Sequence, residues 1–333
     1  MGNLMSIRLD RPVGCGWRLG CLLFLCLPAA DAAGAPPRIP RFSIGHMDRT
    51  VDPATDFYRF SAGTWLKSNP VPADKARWSG FEELRERNLH LLREILEAAS
   101  AGQGTNSTRE FRQVGDFYAS AMDTNRIEKL GFKPIQKDLA RIEQLRSTED
   151  IIRLMAEFHQ GDVNALFSVR VSPDAKNSAL YAFYAGQGGL GLPDRDYYLS
   201  DGFAKQREAY RKHVTRMFGL LGETDSQAAG HATNILSIET ALASASRARV
   251  DLLDPQKNYN RFEVADLASK NPGLHWRTYL DEVGLKSVPY VIVGQAEFLA
   301  RLESLLEERP LDEWKTYLRW HLLRANAPNL HQA

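Results

Sequence analysis

Histidine is the commonest route by which a hydrolytic chain builds a zinc centre, usually from two ligands on one helix face. Eight histidines occur here: His46, His90, His159, His213, His231, His275, His321 and His331. None opens a His-Glu-x-x-His sequence. The nearest arrangement is His90 with Glu94, a spacing that reads as a solvated i,i+4 pair on a helix. The three cysteines, Cys15, Cys21 and Cys26, lie within the first 26 residues. The rest of the chain therefore has no thiol to oxidise, to ligate a metal or to act as a nucleophile. Gly186-Gln-Gly-Gly-Leu-Gly191 has the G-x-G-x-x-G spacing of a dinucleotide loop and follows a predicted strand. Such a loop must open a helix whose N-terminus meets a pyrophosphate, whereas Pro193 and Asp194-Arg-Asp196 follow at once. The segment reads as a glycine-rich connection. There is no Gly-x-Ser-x-Gly elbow and no Gly-Lys-Ser/Thr phosphate loop. The expectation is no catalytic residue, no metal ligand and no cofactor in this chain.

The elements around these residues are mostly helical. In Phe81–Ala99 the apolar residues Phe81, Leu84, Leu89, Leu92, Ile95, Leu96 and Ala99 recur at steps of three and four between charged residues, which predicts one amphipathic helix ended by Gly102-Gln-Gly104. Similar periodicity predicts helices at 109–122, 134–145, 148–159, 203–221, 226–246, 261–269, 275–283, 295–307 and 311–325. Ala165–Val171 and Ala179–Tyr184 are instead rich in β-branched and aromatic residues around the turn-like Ser172–Asn177. The expected fold is mainly α, a multi-helix body with one small β-hairpin at about residues 165–184. Aromatic clusters such as Trp314–Trp320 and Asp196-Tyr-Tyr198 read as core packing.

With 42 basic and 41 acidic side chains in 333 residues the chain is close to neutral, and a nucleic-acid partner is not expected. Arg8, Arg11 and Arg18 precede the apolar run Leu19–Leu27, then Pro28 and Ala29-Ala-Asp-Ala32. That order is a secretory signal over residues 1–32, and its apolar run falls short of the ~20 residues of a bilayer span. Cleavage would leave no transmembrane span and a neutral, cysteine-free chain. That composition points to an exported protein, periplasmic or extracellular and of bacterial type. Pro36, Pro37 and Pro40 make residues 33–45 an extended lead-in, and 46–333 form the helical body.

Three stretches in order, Asp56–Lys67 with Pro70-Val-Pro72, then Arg77-Trp-Ser-Gly-Phe-Glu-Glu-Leu-Arg85, resemble the opening of the neprilysin and endothelin-converting-enzyme family of zinc metallopeptidases. Gly191–Tyr198, Lys257-Asn-Tyr-Asn260 and Trp314–Trp320 are similar to that family's later landmarks, so the resemblance covers essentially all of 46–333. Ala62 stands where animal members usually carry a cysteine. The resemblance implies two largely helical lobes around a cavity, with zinc in one lobe and the other screening peptides. The family's zinc ligands lie in a His-Glu-x-x-His helix and a later glutamate-bearing helix, in a protein about twice this length. The expectation is therefore the N-terminal, substrate-admitting region of an exported endopeptidase, truncated before its catalytic half, with zinc only in a full-length relative. The alternative is a stand-alone secreted peptide-binding module that has lost catalysis.

In the family the Arg-aromatic-x-x-Phe-x-x-Leu-Arg pattern occupied by Arg77 and Arg85 holds the C-terminal carboxylate of an oligopeptide substrate. A guanidinium fork suits a planar carboxylate in a way lysine does not. If the helix starts by Arg77, the pair stand about 12 Å apart along one stripe. Apolar faces built to meet a missing lobe would also be exposed, and would favour aggregation.

Overall fold

The computed structural model describes residues 43–73, 75, 77–102 and 108–332. The proposed signal at 1–32 and the lead-in up to residue 42 lie outside the described residues. The chain falls into two compact units, one up to Tyr118 and one from Ala119 onward.

In the first unit a 3-10 turn, Ile44–His46, leads to α1, Phe57–Ser68, whose first turn is capped by the Asp56 carboxylate accepting from the Arg59 N–H at 2.9 Å. Asp48 ties the entering chain to α1: it accepts from Lys67 Nζ at 2.7 Å and from Thr50, and these bonds hold its carboxyl down at about 2. A Cβ at Gly63 would come within 2.6 Å of Asp48 Cβ, so only glycine allows this approach. Two further helices follow, α2 at Gly80–Ser100 and α3 at Arg109–Ala121. They cross where Gly115 meets the backbone carbonyl of Ala99, again with no room for a Cβ.

The second unit begins with the short α4, Thr124–Leu130, then α5, Gln136–Glu143, and α6, Thr148–Gln160. A reciprocal Ser147/Asp150 capping box fixes the start of α6. The hairpin follows as β1, Phe167–Asp174, and β2, Asn177–Gln187. Its strands run further into the predicted turn than the composition indicated, because the Asp174 carboxylate accepts from the Lys176 N–H at 2.8 Å and closes the turn tightly. Next come α7, Asp196–Leu199, α8, Ala204–Leu220, and α9, Asp225–Ala245. They are followed by β3, Asn260–Glu263, α10, Val264–Lys270, α11, Trp276–Glu282, β4, Tyr290–Val293, α12, Ala296–Glu308, and α13, Leu311–Asn326.

The fold is mainly α, as the periodicity indicates, but the hairpin is half of a four-stranded sheet ordered β1-β2-β4-β3. β2 pairs with β4 in parallel, Phe183 opposite Val291, and β3 closes antiparallel on β4. Residues 261–263, predicted as the start of a helix over 261–269, are strand because their backbone pairs antiparallel with β4, and the helix begins only at Val264. One sheet face sends Phe183, Ala185, Val291 and Val293 into the main core with Trp276, Tyr279, Phe298, Trp314 and Tyr317. The other carries Ala182, Tyr184, Tyr290 and Ile292, with Arg170 over Tyr184 and Arg261 over Tyr290. Helix α13 buries Trp314, Tyr317, Leu318, His321 and Leu322, the i, i+3, i+4, i+7, i+8 stripe of a core helix. Truncating Trp314 to alanine would cost about 3–5 kcal/mol at such a site.

Candidate functional site

In the first unit, Tyr58, Ser61, Ala62, Trp65 and Leu66 form one stripe of α1 and face the start of α2 at Ser79, Gly80, Phe81 and Leu84. Between them lies a largely apolar cavity of about 570 Å³, the size of a ligand pocket. The Ser79 hydroxyl accepts from the Phe81 N–H at 3.2 Å and donates to the Glu82 carboxylate, which fixes where α2 begins. Phe81, Leu92 and Ile95 on α2 are 83%, 54% and 53% exposed, so this unit does present the uncovered apolar face expected of it.

Arg77 sits three residues ahead of α2 and not on it, so the two arginines do not share a helical stripe. Ser79 and not Arg77 is the capping residue, because its hydroxyl reaches the free N–H groups of the first turn. The Arg77 side chain is 83% exposed, and its Nε lies 2.8 Å from Glu82 Oε1. Hydrogen bonding from Ser79 above all, then from Glu82's own backbone N–H, and then the Arg77 guanidinium, hold the Glu82 carboxyl below the usual range. An ion pair this exposed is weak, and an incoming carboxylate can replace Glu82 at little cost. Arg85, on the second turn of α2, is exposed and makes no hydrogen bond or ion pair among the described residues. It adjoins Leu84 of the cavity wall. The recess is apolar, and neither Arg77 nor Arg85 is among its lining residues.

Residues 53–333 match the N-terminal profile of Peptidase family M13. The chain belongs to that family. Human endothelin-converting enzyme 1 is 29% identical over 303 residues, covering 87% of this chain and 39% of the enzyme. Human endothelin-converting enzyme-like 1 is 29% identical over 326 residues, covering 89% of this chain and 41% of that protein. The crystal structure of the Mycobacterium tuberculosis zinc metalloprotease Zmp1 in complex with an inhibitor superposes with a TM-score of 0.79 at 30% identity, over 89% of this chain and 45% of that one. The M13 chain described here thus spans about two fifths of the length of these relatives.

Among the described residues no three His, Cys, Asp or Glu side chains converge as a metal site. Four of the histidines stand apart, each beside a different group: His90 lies 3.2 Å from Glu94, His159 Nδ1 is 2.7 Å from Tyr279 Oη, His231 Nδ1 is 2.7 Å from Glu223, and His321 Nε2 is 3.3 Å from Glu239. The set does not fit zinc, and no metal step is derived through it.

Most of the landmark residues turn out to be architectural. Gly186–Gly191 leads into no helix, and α7 starts only at Asp196. Gly191 packs against Tyr210 Oη with no space for a Cβ. Tyr198 donates to Glu239 Oε2 at 2.9 Å, Tyr210 donates to Oε1 at 3.0 Å, and Trp320 Nε1 donates to Tyr210 Oη at 2.7 Å. Glu239 is fully buried, and burial, reinforced by that carboxylate, pushes both tyrosines far above their ordinary pKa, so they stay protonated donors. Asn258 and Asn260 bond to loop and strand carbonyls, among them Val293 O at 3.0 Å from Asn260 Nδ2. Sequence reasoning missed Glu239: the single acid within the mostly apolar helix stretch Ile235–Leu242 was the available signal. No helix among the described residues is long and apolar enough to cross a membrane.

Proposed function

We propose that this chain is the substrate-admitting part of an exported zinc endopeptidase that hydrolyses oligopeptides, and that Arg77 and Arg85 receive the C-terminal carboxylate of the peptide. The observation that carries the reading is the family match over residues 53–333. The relatives include endothelin-converting enzymes and a protein named as a zinc metalloprotease. The basic, apolar, small-residue order of residues 1–32 supports export. No His-Glu-x-x-His occurs in these 333 residues, so the role assigned to them is holding and selecting peptide. Arg85, next in sequence to Leu84 of the apolar recess, offers an uncommitted guanidinium, and Arg77 gives up only an exposed pairing to receive a carboxylate.

Two measurements test this. Purified chain incubated with zinc and a fluorogenic peptide should show no turnover, and turnover abolished by a chelator would refute the assignment of the zinc chemistry to other residues. Calorimetric titration should show a peptide with a free C-terminal carboxylate binding about tenfold more tightly than its amide, the worth of one charge-assisted contact. Arg85→Ala should erase that difference. Equal affinities for acid and amide in the unaltered chain would remove Arg77 and Arg85 from the site.

A further inference from the structure

The second unit holds a cleft of about 620 Å³ whose walls come from the glycine-rich connection after β2, the segment following α9 and the end of α13. Four arginines reach it, Arg195, Arg247, Arg249 and Arg324. Only one of them is fully committed. Arg247 grips both oxygens of Glu297, at 2.5 and 2.9 Å, and also donates to the carbonyls of Lys257 and Gly294. Arg195 donates through Nη1 to Ser246 O at 2.7 Å, but its Nε–H is buried with no hydrogen-bond acceptor among the described residues. The nearest carboxylate oxygen to that atom, on Asp196, is 4.0 Å away. Arg324 has a single long contact to Leu190 O at 3.4 Å. Arg249 is exposed, with no hydrogen bond or ion pair among the described residues.

The acids nearby, Asp194 in the lining, Asp196 at 4.0 Å from Arg195 Nε, and Asp251, offset these groups only in part. Asp194, the acid in the lining, spends one oxygen on the Asp196 N–H at 2.9 Å. Asp251 is paired with Lys257 Nζ at 2.7 Å, the bond that chiefly lowers its pKa. With Arg247 cancelled by Glu297, the cleft keeps an excess of positive charge beside the apolar walls of Leu190, Leu192 and Leu252, a setting that strengthens attraction for an anion. A buried guanidinium N–H without an acceptor is costly, and an oxyanion in the cleft relieves that cost. The backbone alongside is held in an uncommon state: Leu166 has φ +54°, Gly189 has φ +74°, and Tyr317 Oη bridges them by accepting from Leu166 N–H and donating to Gly189 O.

We infer that this cleft binds a small oxyanion, a carboxylate or phosphate, gripped by Arg195, Arg249 and Arg324. The site is separate from Arg77 and Arg85 and does not depend on the reading given above for them. The two sources of such a group are a free anion and the side chain of an acidic peptide, and both can be titrated calorimetrically into the full chain. Inorganic phosphate represents the first, acetyl-Glu-Glu-amide the second, and acetyl-Gln-Gln-amide is the uncharged control. The expectation is saturable binding of the Glu peptide, of phosphate or of both, with none of the Gln peptide. The double variant Arg249→Gln/Arg324→Gln, both exposed positions, should weaken binding about tenfold or more while leaving the melting temperature unchanged. Binding of both anions marks a general oxyanion site, and binding of the Glu peptide alone marks a peptide subsite. Saturable binding of neither anion overturns the inference, as does unchanged affinity in the double variant. Loss of binding in Arg77→Ala/Arg85→Ala, with retention in the double variant, overturns it too by placing the anion in the first unit.

Discussion

Replacing Glu239 with alanine removes the shared acceptor of Tyr198 and Tyr210 and the neighbour of His321 in one step. The two bonds to a charged acceptor are worth about 1.5–3 kcal/mol each. Tyr198 keeps its second partner, because its oxygen still accepts from the Leu192 N–H at 2.8 Å, and Tyr210 still accepts from Trp320. Both hydroxyl protons, however, are left buried without an acceptor. The two bonds together therefore come to about 3–6 kcal/mol. For a unit running from Ala119 to Ala333 each kcal/mol moves the midpoint by about 2–4 °C, so a fall of roughly 10 °C is expected. Thermal and urea melts followed by tryptophan fluorescence read this directly, since Trp320 belongs to the cluster. Glu239→Gln keeps the shape and one acceptor oxygen, and should lose about half as much. If the alanine variant melts within about 1 kcal/mol of the unaltered chain, the cluster does not fasten the Gly191–Tyr198 connection to α9, and the argument for its role fails.

Three other outcomes are expected. Gly115→Ala should destabilise the first unit by about 1–3 kcal/mol, the usual cost of overpacking, read as earlier loss of helical circular dichroism and faster proteolysis there; an unchanged melt would mean that α2 and α3 do not touch at Ala99. Burial pushes the His159 imidazole down to about 4 from an ordinary 6.5, so the unfolded chain takes up the proton first. Its contribution to stability is complete above about 6.5 and is lost as pH falls through about 4. A pH series of melting temperatures should be steepest in that window and flatter in His159→Gln; equal slopes in the two proteins would contradict it. Finally, Leu92→Gln/Ile95→Gln should raise the soluble concentration and reduce binding of an apolar dye without moving the melt of the larger unit, and unchanged dye binding would show that this α2 face is not the sticky one.

How far the sequence spoke depended on the range of the interaction. Long amphipathic helices such as 81–99 and 311–325 were legible because their periodicity is local and sustained, and the structure places them at Gly80–Ser100 and Leu311–Asn326. The strand Tyr290–Val293 was not, since four buried apolar residues have no period to read, and the strand's identity comes from Phe183 opposite Val291, far away in the chain. Pairing with the same strand turned 261–263 from predicted helix into strand. Helix α1 is not among the helices read from periodicity, and its start is set by the Asp56 cap. Of the two site arginines, residue type and spacing were visible, but not that Ser79 would start the helix beyond Arg77. The oxyanion cleft was invisible, because Arg195, Arg249 and Arg324 are brought together only by tertiary packing.

The parallel pairing of β2 with β4 also governs how this polypeptide must emerge from the ribosome. At about 5–20 residues per second, the interval between translation of Phe183 and of Val291 is roughly 5–20 s. During that time the inward edge of the hairpin offers unsatisfied main-chain groups to any neighbour. Destabilised variants of β4 should consequently be lost during synthesis, before any of them can be measured as folded protein.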